Sequence, residues 1–139
     1  GRLDAMPEPT RIKVKHSMEI TCKNDVLTLH LAWNYGGRDE IIHVIQRMIK
    51  ENVPAEQVTE ELVDQYLFTA GTPDPELIIR TSGELRVSNF LIWQSAYSEW
   101  YFTPTLWPDF DKTELFKAIE VYGQRDRRFG KISSSDHET

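Results

Sequence analysis

The sequence predicts an α/β fold built on a parallel sheet with helices on both faces. Three short apolar runs alternate with helical stretches. In residues 26–34, Leu27, Leu29, Leu31 and Trp33 share one face; Leu77, Ile78 and Ile79 form a second run, and Trp100, Tyr101 and Phe102 a third, aromatic one. Strands joined through helices pair in parallel with a right-handed crossover. Three such strands make a narrow sheet with unsatisfied edges, so the chain reads as part of a larger α/β domain.

The elements follow in order. Pro7 and Pro9 mark a turn before a helix over residues 10–24, where Val14, Met18 and Cys22 recur at i, i+4. The alternating run 26–34 predicts an interior strand, closed by Gly36 and Gly37 before a second helix carrying Ile41, Val44, Ile45, Met48 and Ile49. Residues 55–68 predict a further helix with Val58, Leu62, Tyr66 and Leu67 inward, broken by the Gly71-Thr72-Pro73-Asp74-Pro75 loop. After the second strand, a polar segment leads into a helix-like apolar stretch over residues 90–97. Asp111 with Glu114 resembles a capping pair for a last helix that buries Leu115, Ile119 and Tyr122 and stops at Gly130. The large rings from Trp93 to Phe110 are expected in the core.

Composition narrows the function classes. The chain of 139 residues is 40% hydrophobic and 27% charged, as in globular proteins, and Asp+Glu outnumber Lys+Arg by 22 to 16. A net charge of −6 argues against broad attachment to nucleic acid, although clustered arginines can still hold phosphate. The single cysteine, Cys22, forms no internal disulfide and is expected to be buried or half-buried. No apolar stretch approaches the ~20 residues that span a bilayer, which reads as a cytoplasmic chain.

The candidate chemistry centres on two arginines. Arg80 and Arg86 bracket a segment offering Thr81, Ser82, Ser88 and several backbone N–H groups, placed after an apolar strand where open α/β sheets bind ligands. A helix starting near Ser88 or Asn89 would add a positive dipole end. Guanidinium forks, hydroxyls and helix-terminal amides suit a phosphate or diphosphate. The bland alternative is surface pairing of these arginines with Asp74, Glu76 or Glu84. Arg125, Arg127 and Arg128 form a second cluster at a helix end, which the dipole alone explains. Glu99 could bind a hard cation, but one carboxylate is not a metal site.

Taken together, five blocks carry a resemblance. They are Asn34-Tyr35-Gly36-Gly37-Arg38-Asp39-Glu40-Ile41, the run from Leu77 through Arg80-Thr81-Ser82-Gly83-Glu84-Leu85-Arg86-Val87-Ser88-Asn89 to Gln94, Tyr97-Ser98-Glu99-Trp100-Tyr101-Phe102, Leu106-Trp107-Pro108-Asp109-Phe110, and Arg127-Arg128-Phe129-Gly130. In order and spacing they resemble the cis-prenyltransferase family, of the bacterial undecaprenyl diphosphate synthase type. The resemblance implies that residues 1–131 are the C-terminal portion of a single cis-prenyltransferase domain and residues 132–139 a polar tail. It implies an enzyme that adds isopentenyl diphosphate to an allylic diphosphate with Mg²⁺, releasing diphosphate and building a long-chain polyprenyl lipid carrier for the cell wall. By the same resemblance Arg80, Arg86 and Ser88 hold isopentenyl diphosphate, and Glu99 takes part in the metal site. Arg127, Arg128 and Gly130 would reach the partner's site in a homodimer, with Asn34 and Arg38 in support. Membrane contact is expected only through the lipid product.

The sequence also departs from the family pattern. Leu85 stands where some bacterial members have a histidine near the metal, and Lys131 follows Gly130 where a second glycine is common. The family's Met-Asp-Gly-Asn-Gly-Arg segment, which binds the allylic diphosphate and metal, has no counterpart in these residues. The competing reading is therefore a non-catalytic partner subunit or diphosphate-binding module without the allylic half.

Overall fold

The computed structural model describes residues 1–125. They fall into two units, residues 1–72 with 89–91, and residues 73–88 with 92 onward.

The first unit is helical: α1 (Glu8–Thr21), α2 (Gly37–Lys50) and α3 (Glu60–Tyr66), with single 3-10 turns at Leu3–Ala5 and Ala55–Gln57. Pro7 and Pro9 start α1, where a missing N–H costs nothing. α1 buries no residue and Cys22 is exposed, so the expected Val14, Met18 and Cys22 stripe does not pack. The buried line of α2 is Gly37, Glu40, Val44 and Met48, while Ile45 and Ile49 on the neighbouring face stay exposed. Thr59 splits the expected 55–68 helix. Its backbone is extended and its Oγ1 accepts from Leu62 N at 3.2 Å, which caps α3 and leaves only a 3-10 turn before it. Arg47 and Glu51 tie α3 to α2: the Arg47 guanidinium lies 4.6 Å from the Tyr66 ring centroid, its Nη1 donates to Tyr66 O at 3.3 Å, and Tyr66 Oη donates to Glu51 Oε2 at 2.5 Å. Leu67 is buried just beyond.

The first amide groups of α2 are capped from far along the chain. Gly37 N donates to Asn89 O at 2.7 Å and Arg38 N to Asn89 Oδ1 at 2.9 Å. Asn89 does this from the left-handed region (φ 63°), which asparagine tolerates. A Cβ on Gly36 would meet Asn89 Nδ2 at 2.7 Å, so a larger residue there would push on the side chain that caps α2.

Residues 26–34 are not a strand. They pair with no strand among the described residues, and Val26, Leu27 and Leu29 are 95%, 80% and 75% exposed. The alternation is real, but a strand is a paired state, because its backbone N–H and C=O groups need a neighbouring ladder.

The second unit carries the sheet. β1 (Leu77–Arg80) and β2 (Glu99–Phe102) pair in parallel with Leu77 opposite Glu99 and Arg80 opposite Phe102. α4 (Lys112–Gly123) packs against β2 and buries Ala118, with Leu115 and Ile119 half-exposed rather than buried. The expected stop at Gly130 lies outside the described residues. Asp111 Oδ1 accepts from Glu114 N at 3.0 Å, half of the expected capping pair. Ile78 is buried, whereas Tyr97 and Trp107 are exposed, contrary to their expected place in the core.

No helix spans residues 90–97. Ser88, Asn89 and Leu91 all have positive φ, which a right-handed helix cannot accommodate. Residues 92–97 form successive turns, with Ala96 N on Trp93 O at 3.3 Å and Ser98 N on Ser95 O at 3.1 Å.

Candidate diphosphate site

Arg80 ends β1, at the C-terminal edge of the parallel pair. Its carbonyl accepts from Thr103 N at 3.0 Å, carrying the ladder one step past β2. The side chain is half-buried, and its Nε is buried without a hydrogen-bond partner. An unsatisfied buried donor on a charged group is costly, so an anion arriving there recovers the full strength of a charge-assisted bond. Arg80 forms no ion pair among the described residues.

The chain then reverses sharply. Ser82 and Gly83 are both left-handed, φ 68°, and their amides donate to Thr105 O and Thr103 O, each at 2.9 Å. These two N–H groups are spent inside the protein and do not face a ligand. The expected helix dipole is also absent, since residues 90–97 form turns. The segment still offers an anion its side chains: Arg80, Arg86 and the hydroxyls of Thr81, Ser82 and Ser88.

Arg86 differs from Arg80. Its side chain is 67% exposed and forms an ion pair with Glu84, so for this arginine the surface pairing read as the bland alternative is what the structure holds. Ser88 is exposed and left-handed at φ 51°.

Glu99 lies away from this group. It opens β2 opposite Leu77, three residues back from the level of Arg80, about 10 Å along the strand at ~3.3 Å per residue. Its Oε2 accepts from Arg125 Nη1 at 2.5 Å, while Arg125 Nη2 donates to Trp100 O at 3.0 Å. Among the described residues no three His, Cys, Asp or Glu side chains gather as metal ligands. Glu99 is therefore a single carboxylate engaged by a guanidinium, and the described residues do not by themselves make a site for Mg²⁺.

Asn34 and Arg38 belong to the first unit. Asn34 has φ 47° and its Nδ2 donates to Arg2 O at 3.1 Å. Arg2 Nε in turn donates to Asp39 Oδ2 at 2.6 Å, and this bond holds the Asp39 carboxyl below its usual range. The guanidinium of Arg38 is exposed, with no ion pair among the described residues. Arg127, Arg128 and Gly130 lie outside the described residues.

Two polar features went unread in the sequence. Glu40 is 1% exposed on α2, accepting from Tyr35 Oη at 2.6 Å and Phe68 N at 2.7 Å. Thr103 is 3% exposed, its hydroxyl within 3.1 Å of Glu114 Oε2. A carboxylate or hydroxyl gives no sign of burial from sequence alone; the only hint at Thr103 is its position straight after an aromatic strand.

Comparison with known proteins matches this architecture. Residues 1–130 match the undecaprenyl diphosphate synthase family model, Prenyltransf. An isoprenyl transferase of Bacillus cereus is 48% identical over 136 residues, covering 95% of this chain and 53% of the relative. One of Fusobacterium nucleatum is 50% identical over 134 residues, covering 96% and 57%. The crystal structure of a probable undecaprenyl diphosphate synthase from Campylobacter jejuni superposes with a TM-score of 0.83 at 37% identity, over 94% of this chain and 61% of the other. The lavandulyl diphosphate synthase of Lavandula x intermedia, in complex with dimethylallyl diphosphate, gives 0.88 at 33% identity, over 94% and 58%. The chain spans a little over half the length of the curated relatives it matches. With the family model covering nearly all of its residues, the chain belongs to the undecaprenyl diphosphate synthase family of cis-prenyltransferases.

Proposed function

We propose that this chain supplies the isopentenyl diphosphate half-site of a cis-prenyl chain-elongating enzyme, which condenses isopentenyl diphosphate with an allylic diphosphate to make a long-chain polyprenyl diphosphate. The observation that carries the reading is Arg80: a half-buried guanidinium at the C-terminal edge of a parallel strand, with its Nε buried and unpartnered. Arg86 and the Ser88 hydroxyl complete the cradle once Arg86 leaves Glu84. A diphosphate fixed there holds the homoallylic double bond in place for attack on the allylic carbon, so the work of this chain is positioning and charge neutralisation.

Mg²⁺ fits this reading only as a shared ion. Glu99 offers one carboxylate, and the remaining oxygens would come from diphosphate, water and donors outside the described residues. The chain acts in a homodimer, with Arg127, Arg128 and Gly130 reaching the partner's site and Asn34 and Arg38 in support. No helix among the described residues is long and apolar enough to cross a membrane. We place the enzyme in the cytoplasm, touching the bilayer through its lipid product.

The test is incorporation of labelled isopentenyl diphosphate by the complete protein, with and without Mg²⁺. Long-chain product that disappears with chelator is the expected result. No isopentenyl diphosphate binding, or an Arg80→Ala variant with unchanged binding and turnover, overturns the assignment.

A further inference from the structure

The loop that begins at Arg80 is held by a polar relay that starts on α4. Ser82 N and Gly83 N rest on the carbonyls of Thr105 and Thr103, so the loop's path follows wherever residues 103–105 lie. Those residues are fixed in turn by their side chains. Thr103 Oγ1 accepts from Thr105 N at 3.2 Å, and the two hydroxyl oxygens lie 3.0 Å apart. Both reach Glu114 Oε2, Thr103 Oγ1 at 3.1 Å and Thr105 Oγ1 at 3.2 Å. The two hydroxyl protons thus serve three oxygens, and the chain of bonds ends on a carboxylate that needs no donor of its own.

The position of Glu114 makes this more than a helix cap. It sits three residues after the cap residue Asp111, where a glutamate ordinarily folds back onto the cap's own N–H. Asp111 does its half of that exchange, but Glu114 turns to the threonines instead. Its other oxygen accepts from Lys117 Nζ at 2.6 Å, and that ammonium, followed by the Thr103 hydroxyl, holds the carboxyl below its usual range.

We propose that Glu114 is a positioning residue for the Arg80–Ser88 loop, acting through Thr103 and Thr105 on the Ser82 and Gly83 amides. The proposal rests on the diphosphate reading of that loop, and it adds a residue that never touches substrate. Glu114 sets the angle at which the chain leaves Arg80, and so the aim of the guanidinium.

The experiment uses the complete protein and two readouts: the separate KM values for the two diphosphate substrates, and hydrogen exchange of the Ser82 and Gly83 amides. Glu114→Ala and Thr103→Val should each raise the KM for isopentenyl diphosphate about tenfold, the scale of a lost charge-assisted hydrogen bond. The KM for the allylic substrate should stay unchanged. Glu114→Gln keeps an acceptor for the hydroxyls and should stay within about threefold of the parent, and Lys117→Met should match the parent, since it removes only the exposed partner. Combining Glu114→Ala with Thr103→Val should cost little beyond the worse single change, as for groups in one network. Exchange at Ser82 and Gly83 should quicken in Glu114→Ala while the β1 amides stay protected.

Unchanged KM in both Glu114→Ala and Thr103→Val, beside a raised KM in Arg80→Ala, overturns the relay and leaves the diphosphate site standing. Unchanged KM in Arg80→Ala removes the diphosphate reading, and the exchange at Ser82 and Gly83 then decides the relay alone. If Glu114→Ala does not fold, Glu114→Gln against Thr103→Val decides it: equal losses in both overturn the relay, because only the valine lacks the hydroxyl.

Discussion

The two ends of the β1–β2 pair carry opposite charges in opposite states. At the C-terminal end Arg80 keeps a buried Nε without a partner, and the loop after it is fastened by Thr103 and Thr105. At the N-terminal end Glu99 is already met by Arg125, which also holds the carbonyl of Trp100. A charge whose counter-ion comes from the same chain has little left to gain from a ligand, whereas an incompletely satisfied guanidinium gains most. That contrast is what supports proposing the anion for the Arg80 end, while the Glu99–Arg125 contact ties the end of α4 to the sheet.

The largest expected effect breaks the comparison at its stronger end. Arg80→Ala should weaken ground-state binding of isopentenyl diphosphate by about 1.5–3 kcal/mol, roughly 10- to 150-fold, read by titration of the complete protein. Arg80→Lys should recover little of it, because an ammonium lacks the planar fork that meets two phosphate oxygens at once. Binding in Arg80→Lys equal to the parent would show that only net charge is read there.

Next comes the Glu99 end. If Glu99 is only a tie, Glu99→Gln and Arg125→Met should lower the melting temperature together and leave the Mg²⁺ requirement alone. If it also serves the metal, Glu99→Gln should raise the Mg²⁺ concentration for half-maximal turnover by about tenfold, the scale of a lost ligand partner, and Arg125→Met should lower it by releasing the carboxylate. The second pattern is the one the proposed function expects.

These two ends also show what was legible in the sequence. The place of Arg80 at the end of a strand was legible because the signal is local: a short apolar run followed at once by a basic residue and a polar loop. The apolar runs 77–79 and 100–102 were legible in the same local way; their parallel pairing was expected from helical connections, whereas turns over residues 92–97 lie between the paired strands. The Glu99–Arg125 tie could not be found, since it joins residues 26 positions apart through α4 packing. Residues 26–34 show the reverse failure, with a clear strand pattern but no ladder partner among the described residues. The turns at 88–97 were hidden because positive φ at Ser88 and Leu91 is imposed by the path of the loop, and neither residue type announces it.

A smaller effect sharpens the contrast between the two arginines of the loop. Arg86 is exposed and paired with Glu84, so a ligand must first compete with that carboxylate. Arg86→Ala should therefore cost less than Arg80→Ala, about threefold to tenfold in binding, while Glu84→Gln should improve binding by up to about threefold, as expected for one exposed ion pair. A loss in Arg86→Ala as large as in Arg80→Ala would mean that the surface pair opens at no cost and that the two arginines act as one clamp.

The smallest effect comes from pH, and it probes the loop's support without any ligand. The Glu114 carboxyl is held below its usual range by Lys117 first and then by the Thr103 hydroxyl. A depressed carboxyl contributes stability that is fully present above its unfolded value, about 4.3, and is lost as pH falls through the folded value. Lys117 is raised by its bond to Glu114, so its share is complete below about 10.4 and is lost as pH rises through its own folded value. Between those limits the support is intact. Glu114→Gln should lower the urea midpoint slightly at pH 7, and the difference from the parent should shrink toward zero once the pH is below the folded value of Glu114. A difference that persists undiminished in acid would mean that the carboxylate's charge plays no part, and that the threonines need only an acceptor of the right shape.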